Sequence, residues 1–366
     1  MYKNLEIDNF RGLRKLKVPD VKPLTLIIGA NNVGKSALLE AIFLNSGGPQ
    51  PQLVLNLDAQ RGRPGIRLDL LPGSDSPWSS LFTDFDTQHS IKVNAETDSG
   101  SLSMSVSVVR NPDELRKISG VQPDKPIGFT PQERQSTDMT NQPVRVLKIR
   151  YSTGRGEYEA FLVASPTGLR FDPPVSPFTP DFATIYQPPY VAGGAADDIQ
   201  RFGQFQLQNR TELVLESLRA IEPRLRSLTV ALAGPQPEIY GDVGLRNLLP
   251  LALMGDGTRR LLTLVLAMGT ASQGVVLFDE IESGIHHTKL GDMWQAAFEA
   301  SSVFGTQLVA TTHSMECVRA FHAVAAAEGS RQAVLIRLER TNGLTRAVAY
   351  DSETLAAAIE NNLEVR

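Results

Sequence analysis

The chain has 366 residues, 42% of them hydrophobic, and a net charge of −4, enough for one large α/β core or two modest lobes. That balance excludes a global electrostatic pull toward nucleic acid, and the single cysteine, Cys317, excludes an intramolecular disulfide. Glu6 and Asp8 stand where the apolar segment of a leader would sit, so the start reads as a strand and a cytoplasmic setting is expected.

Leu5-Glu-Ile-Asp-Asn-Phe-Arg-Gly-Leu13 reads as that opening strand and a turn, and Arg11, Arg14, Lys15 and Lys17 alternate along a first hairpin. Pro23-Leu-Thr-Leu-Ile-Ile28 is a second short strand, closed by Gly29. Ala37, Leu38, Leu39, Ala41 and Ile42 then form a helical apolar stripe that stops at Asn45-Ser-Gly-Gly48. Between them, Gly29-Ala-Asn-Asn-Val-Gly-Lys-Ser36 matches G-x-x-x-x-G-K-[ST]. In such a loop glycine permits backbone angles and close approach that a side chain forbids. Backbone N–H groups then wrap a polyphosphate, and the helix start aims its positive dipole end at the same anion. A chance match arises in on the order of 1% of chains of this length, and here the strand and helix that the motif requires are both present. The expected binding set is Gly29, Asn31, Asn32, Val33, Gly34, Lys35, Ser36 and Ala37, with Lys35 on the β- and γ-phosphates and Ser36 on Mg²⁺. The basic hairpin is a solvated edge or touches a nucleotide or DNA backbone, and Arg11 in its turn is best placed to reach ATP.

From Ser90 to about Arg170, runs such as Ser101-Leu-Ser-Met-Ser-Val-Ser-Val-Val109 and Val144-Arg-Val-Leu-Lys-Ile-Arg150 alternate as antiparallel strands with one wet face. Pro-rich stretches, Asn111 to Gln142 and Asp172 to Asp181, read as loops. Ala195 to about Leu232 reads as helical, broken at Pro223. No sustained heptads occur anywhere between the phosphate loop and Gly255, so a long coiled-coil arm is not expected. Gly255-Asp-Gly257 is either a turn capping the helix from Thr258 or an anion-binding loop, and Arg259 and Arg260 either reinforce that anion site or lie on a solvated face. Leu261 to Phe278 is interrupted by Thr263, Thr270, Ser272, Gln273 and Gly274, so it reads as a helix followed by a strand and not as a membrane span.

Gly274-Val-Val-Leu-Phe-Asp-Glu280 is an apolar strand ending in two carboxylates, and ligands of open parallel sheets collect at such strand ends. Asp279 would hold Mg²⁺ opposite Ser36, and Glu280 would orient and deprotonate the attacking water. Gln307-Leu-Val-Ala-Thr-Thr-His-Ser314 repeats the arrangement, placing His313 where it could hydrogen-bond a γ-phosphate. His286-His287 invites a zinc reading, but no Cys or second His pair lies at ligand spacing. Adjacent histidines also point differently on most backbones, so zinc is not expected there.

Together the phosphate loop, the Asp-Glu strand and the Thr-His-Ser strand resemble the head domain of ABC-type ATPases, in the branch of the SMC and RecF proteins and the overcoming-lysogenization-defect (OLD) nucleases. The Phe-Arg-Gly turn and Gly29-Ala-Asn-Asn-Val-Gly34 fit that branch. Asp279-Glu-Ile-Glu-Ser-Gly-Ile-His-His287 and the last residues, Asn362-Leu-Glu-Val-Arg366, are similar to OLD-like ATPases of bacterial anti-phage systems. Met254-Gly-Asp-Gly-Thr-Arg-Arg-Leu-Leu262 occupies the place of the ABC signature, with Gly255 where the usual signature has Ser.

The resemblance implies a single α/β ATPase head over 1–366, with a mostly parallel core sheet, an antiparallel β subdomain and a short helical lobe. Residues 1–85 would carry the first strands and the phosphate loop, 86–192 the β insertion, 193–235 the helical lobe, and 236–366 the signature, Asp-Glu and His segments. It further implies MgATP hydrolysis by Lys35, Glu280 and His313. Two heads would be sandwiched around nucleotide, each presenting Gly255, Asp256 and Gly257 to the other's ATP. No TOPRIM strands with a Glu and an Asp-x-Asp follow, so the controlled effector (a TOPRIM or HNH nuclease, or a toxin) would be a separate chain, with defence against phage as the context. A RecF-like DNA clamp and a nucleotide-sensing scaffold that barely hydrolyses are the alternatives.

Overall fold

The computed structural model describes residues 1–61, 77–118, 144–165, 168–189, 194–328, 332–350 and 354. Most of the Pro-rich stretch from Asn111 to Gln142, and the terminal Asn362–Arg366, lie outside these residues. The strands are β1 (Tyr2–Phe10), β2 (Leu13–Val18), β3 (Leu24–Gly29), β4 (Ile91–Thr97), β5 (Gly100–Val109), β6 (Arg145–Thr153), β7 (Gly156–Ser165), β8 (Gly168–Asp172), β9 (Thr184–Gln187), β10 (Ser227–Ala231), β11 (Glu238–Asp242), β12 (Leu249–Pro250), β13 (Val275–Phe278), β14 (Gln307–Thr311), β15 (Ala333–Thr341) and β16 (Leu344–Tyr350). The helices are α1 (Lys35–Gly47), α2 (Pro51–Gln60), α3 (Pro112–Lys117), α4 (Gly194–Leu207), α5 (Thr211–Arg219), α6 (Asp256–Thr270), α7 (Leu290–Phe304) and α8 (Met315–Glu328). No described helix is long and apolar enough to cross a membrane.

The chain forms two compact units. The first gathers Met1–Asn4, Lys17–Phe43 and the described chain from Asp181 onward. Its six-stranded sheet has the order β16-β15-β3-β14-β13-β9. All pairs are parallel except the edge pair β15–β16. Parallel strands covered on both faces read as continuous apolar runs, and Val275–Phe278 is buried at every position. Leu26, Ile28, Phe278, Ala310 and Leu335 pack in one core with Leu261, Leu264 and Met268 of α6, Trp294 and Phe298 of α7, and Phe321 of α8. Full burial of one such Leu or Phe contributes roughly 1.5–3 kcal/mol. Gln307, 1% exposed, starts β14 and ties down the N-terminus: its side chain accepts from Tyr2 N–H at 2.8 Å and donates to the Tyr2 carbonyl at 2.9 Å.

The helical reading of 195–232 ends earlier than expected. Helices α4 and α5 are present, but Ser227–Ala231 is strand β10, paired antiparallel with β11. Pro223 and the turn after Arg219 end the helix, and Ser-Leu-Thr-Val-Ala then satisfies its backbone against β11. Strand β9, from the segment read as β insertion, joins the parallel sheet beside β13.

The second unit comprises Leu5–Leu16 and the described residues of Leu44–Pro180. Its seven-stranded sheet runs β2-β1-β4-β5-β6-β7-β8, antiparallel from β4 to β8. The expected wet face is present: Leu102, Met104 and Val106 are buried while Ser101 and Ser103 are exposed.

Candidate active site

Strand β3 ends at Gly29 with φ 143°, and a Cβ there would run into the Leu338 carbonyl oxygen of β15. Only glycine fits this corner. The chain turns through exposed Asn31 and Asn32, buried Val33 and Gly34 (φ 113°), and α1 begins with Lys35, Ser36 and Ala37. The loop therefore lies at a helix N-terminus, where unpaired N–H groups face an anion. Lys35 is 5% exposed; its Nζ donates to the carbonyls of Gly29 at 2.7 Å and Ala30 at 3.1 Å, and lies 3.4 Å from His313 Nδ1. Burial lowers the pKa of this ammonium from its usual value, while Asp279, Glu280 and Glu282 pull it back up.

The carboxyl ends of the neighbouring parallel strands complete the site. Phe278 is in register with Gln187 on one side and Ala310 on the other, so the next residues meet side by side. Asp279 N–H donates to the Gln187 carbonyl at 2.9 Å. The Thr311 hydroxyl donates to Asp279 Oδ1 and accepts from Glu280 N–H at 2.9 Å. Asp279 is 2% exposed, and its Oδ2 is buried with no hydrogen-bond partner among the described residues. A buried carboxylate oxygen left this way costs free energy unless something binds it. A divalent cation shared with the Ser36 hydroxyl fits that need. Glu280 has φ 48°, a conformation rare outside glycine, and its Oε1 lies 3.9 Å from His313 Nε2. A cavity of about 340 Å³ is lined by Gly29, Ala30, Asn31 and His313.

Some contributors take a different role from the one the sequence suggested, or were not singled out there. Arg260 does not reinforce the Gly255 loop: its Nη2 donates to the carbonyls of Asp279 at 2.7 Å and Glu280 at 3.0 Å, and its guanidinium lies 4.2 Å from the Phe278 ring centroid. Burial lowers its pKa to about 10, opposed by Glu282, Asp279 and Glu280. Glu282 Oε1 accepts from His313 N–H at 2.8 Å, pinning the His loop to the acidic loop. Gln187, 8% exposed, ends β9 next to Asp279. The second Glu of Asp-Glu-Ile-Glu was a legible signal; Gln187 and Arg260 had none, because strand order alone brings them here.

Gly255, Asp256 and Gly257 stand at the N-terminus of α6, and their close neighbours are Gly284 and Ile285. Arg259 is paired with Asp256 at 2.9 Å on the surface. Arg11 belongs to the second unit, where its N–H donates to the Leu81 carbonyl at 2.7 Å. His286 and His287 stack with centroids 4.3 Å apart.

Residues 24–319 match the family described as "AAA domain, putative AbiEii toxin, Type IV TA system". A Helicobacter pylori protein named ATP/GTP phosphatase is 20% identical over 99% of this chain and 98% of its own length. A solved SMC head bound to the C-terminal winged-helix domain of ScpA is 14% identical, covering 97% of this chain and 99% of that one, with a TM-score of 0.49. The SMC head domain from Thermotoga maritima is 15% identical over 96% and 99%, with a TM-score of 0.39.

Proposed function

The chain belongs to this AAA-domain family, and from that premise we propose that it is an ATPase that binds MgATP at the Gly29–Ala37 loop and hydrolyses it. The observation that carries this reading is the convergence of Lys35, His313, Glu280 and Asp279 at the ends of adjacent parallel strands. The name of the Helicobacter pylori relative supports nucleoside triphosphate hydrolysis.

Loop N–H groups and Lys35 hold the β- and γ-phosphates. Ser36 and Asp279 would hold Mg²⁺, which supplies charge to offset that of the phosphates. Glu280 takes a proton from water as the water oxygen bonds to the γ-phosphorus and the bond to the bridging oxygen breaks, releasing ADP and phosphate. His313 donates a hydrogen bond to the γ-phosphate. Gln187 and Thr311 fix the Asp279 end, while Arg260 and Glu282 fix the loops that carry Glu280 and His313.

We further propose that two heads close on two ATP molecules, each offering Gly255, Asp256 and Gly257 to the other's nucleotide, and that closure controls a separate effector in anti-phage defence. Glu280→Gln tests both parts. Turnover is expected to fall by about 10²- to 10⁴-fold with ATP binding retained, and light scattering is expected to register an ATP-dependent rise in mass. Undiminished turnover removes Glu280 from the chemistry, and constant mass removes the sandwich. Turnover accelerated by DNA, with salt-sensitive DNA binding, would instead favour the clamp.

A further inference from the structure

A second cavity, of about 430 Å³, lies on the opposite flank of the phosphate loop, between Asn31–Val33 and the tip of β15 at Arg337–Thr341. Sheet order gives it meaning. Strand β3 carries the loop, with β14 and then β13 on one side and β15 on the other. His313, Asp279 and Glu280 all stand on the β14–β13 side. A triphosphate whose γ end faces those groups therefore runs toward β15, and its nucleoside leaves the loop there.

The tip of β15 is held in place for such a role. The Thr345 hydroxyl at the start of β16 donates to the Val33 carbonyl of the loop at 3.2 Å, and the Leu338 carbonyl fills the space that a Gly29 side chain would need. Side chains alternate along β15: Leu338 is 1% exposed, while Arg337 and Glu339, paired at 3.2 Å, point to the other face. A carboxylate accepts about four hydrogen bonds, so Glu339 keeps acceptor capacity beyond its pairing with Arg337. A carboxylate at the ribose end is a general solution for binding two vicinal hydroxyls.

We infer that this cavity is the ribose subsite of the nucleotide and that the Glu339 carboxylate accepts the 2′- and 3′-hydroxyls. The inference rests on the proposed nucleotide site and names the part of the substrate that the site distinguishes: ribonucleoside over 2′-deoxyribonucleoside triphosphates. Among the described residues no aromatic side chain lines the cavity, so the subsite is expected to discriminate in the sugar more than in the base.

Titration calorimetry of the full chain with ATP, GTP, 2′-deoxy-ATP and tripolyphosphate, each with Mg²⁺, tests this on the wild type, Glu339→Gln and Glu339→Ala. The wild type is expected to bind ATP about tenfold more tightly than 2′-deoxy-ATP, the size of one charge-assisted hydrogen bond. Both variants lose that preference, ATP and GTP weaken together, and tripolyphosphate affinity stays within about twofold. Equal wild-type affinity for ATP and 2′-deoxy-ATP overturns the subsite, as does a Glu339 variant that keeps the preference or weakens tripolyphosphate equally. A wild type that binds neither ATP nor tripolyphosphate overturns the underlying nucleotide site and this inference with it.

Discussion

Two glycine-framed corners of the first unit look alike in sequence and differ in structure. Gly29–Ser36 and Gly255–Gly257 each lead into a helix N-terminus. At the first, a buried lysine, a histidine and acidic groups converge. At the second, Asp256 and Arg259 pair with each other at the surface, and Arg260 turns away to hold the backbone of Asp279 and Glu280. A helix start makes an anion site only when side chains from other elements close around it. Among the described residues no such set of side chains gathers at the Gly255 corner; in the proposed sandwich of heads, a partner's nucleotide would complete it.

The largest effect that tests this contrast is at Lys35. Lys35→Ala is expected to weaken ATP by on the order of a hundredfold or more, since a buried charge-assisted contact is lost; calorimetry reads it directly. Comparable ATP affinity in the variant would place nucleotide elsewhere and erase the difference between the corners. Next comes Arg260. Arg260→Ala is expected to lower kcat by about tenfold while KM for ATP moves less than about twofold, because the residue positions the acidic loop and does not touch nucleotide. A rise in KM with unchanged kcat would return Arg260 to the binding surface.

The smallest effect is at Asp198 of α4, 5% exposed, whose carboxylate accepts from the Thr263 hydroxyl of α6 at 2.6 Å. Burial raises its pKa to about 6, against the pull of Thr263 and Arg201; Asp197 pushes it up and Arg259 pulls it down. Folding therefore favours the protonated form. Its stabilisation is complete below about pH 4 and is lost as pH rises toward 6, an effect of about 3 kcal/mol. Asp198→Asn should flatten that slope in urea melts between pH 4 and 7; an unchanged slope would show that another group is responsible.

What was legible in the sequence was local. Gly29–Ser36 carries its own meaning because loop, lysine and helix start are contiguous, and Asp279-Glu280 follows a strand of four apolar residues that can only be buried. His313 was legible through the same strand-then-polar pattern. Arg260, Gln187 and Thr311 were not, since each acquires its role from which strands become neighbours. Ser227–Ala231 was misread as helix because five residues carry little periodicity, and the partner that settles them, β11, arrives only after an intervening turn.

Glu280 remains the residue with the most to say about how this protein is built. Its left-handed backbone costs on the order of 1 kcal/mol that glycine would not incur. Selection for ruggedness alone would therefore drift toward glycine at this position; under the proposed role of Glu280, the carboxylate that stands there exchanges durability for turnover.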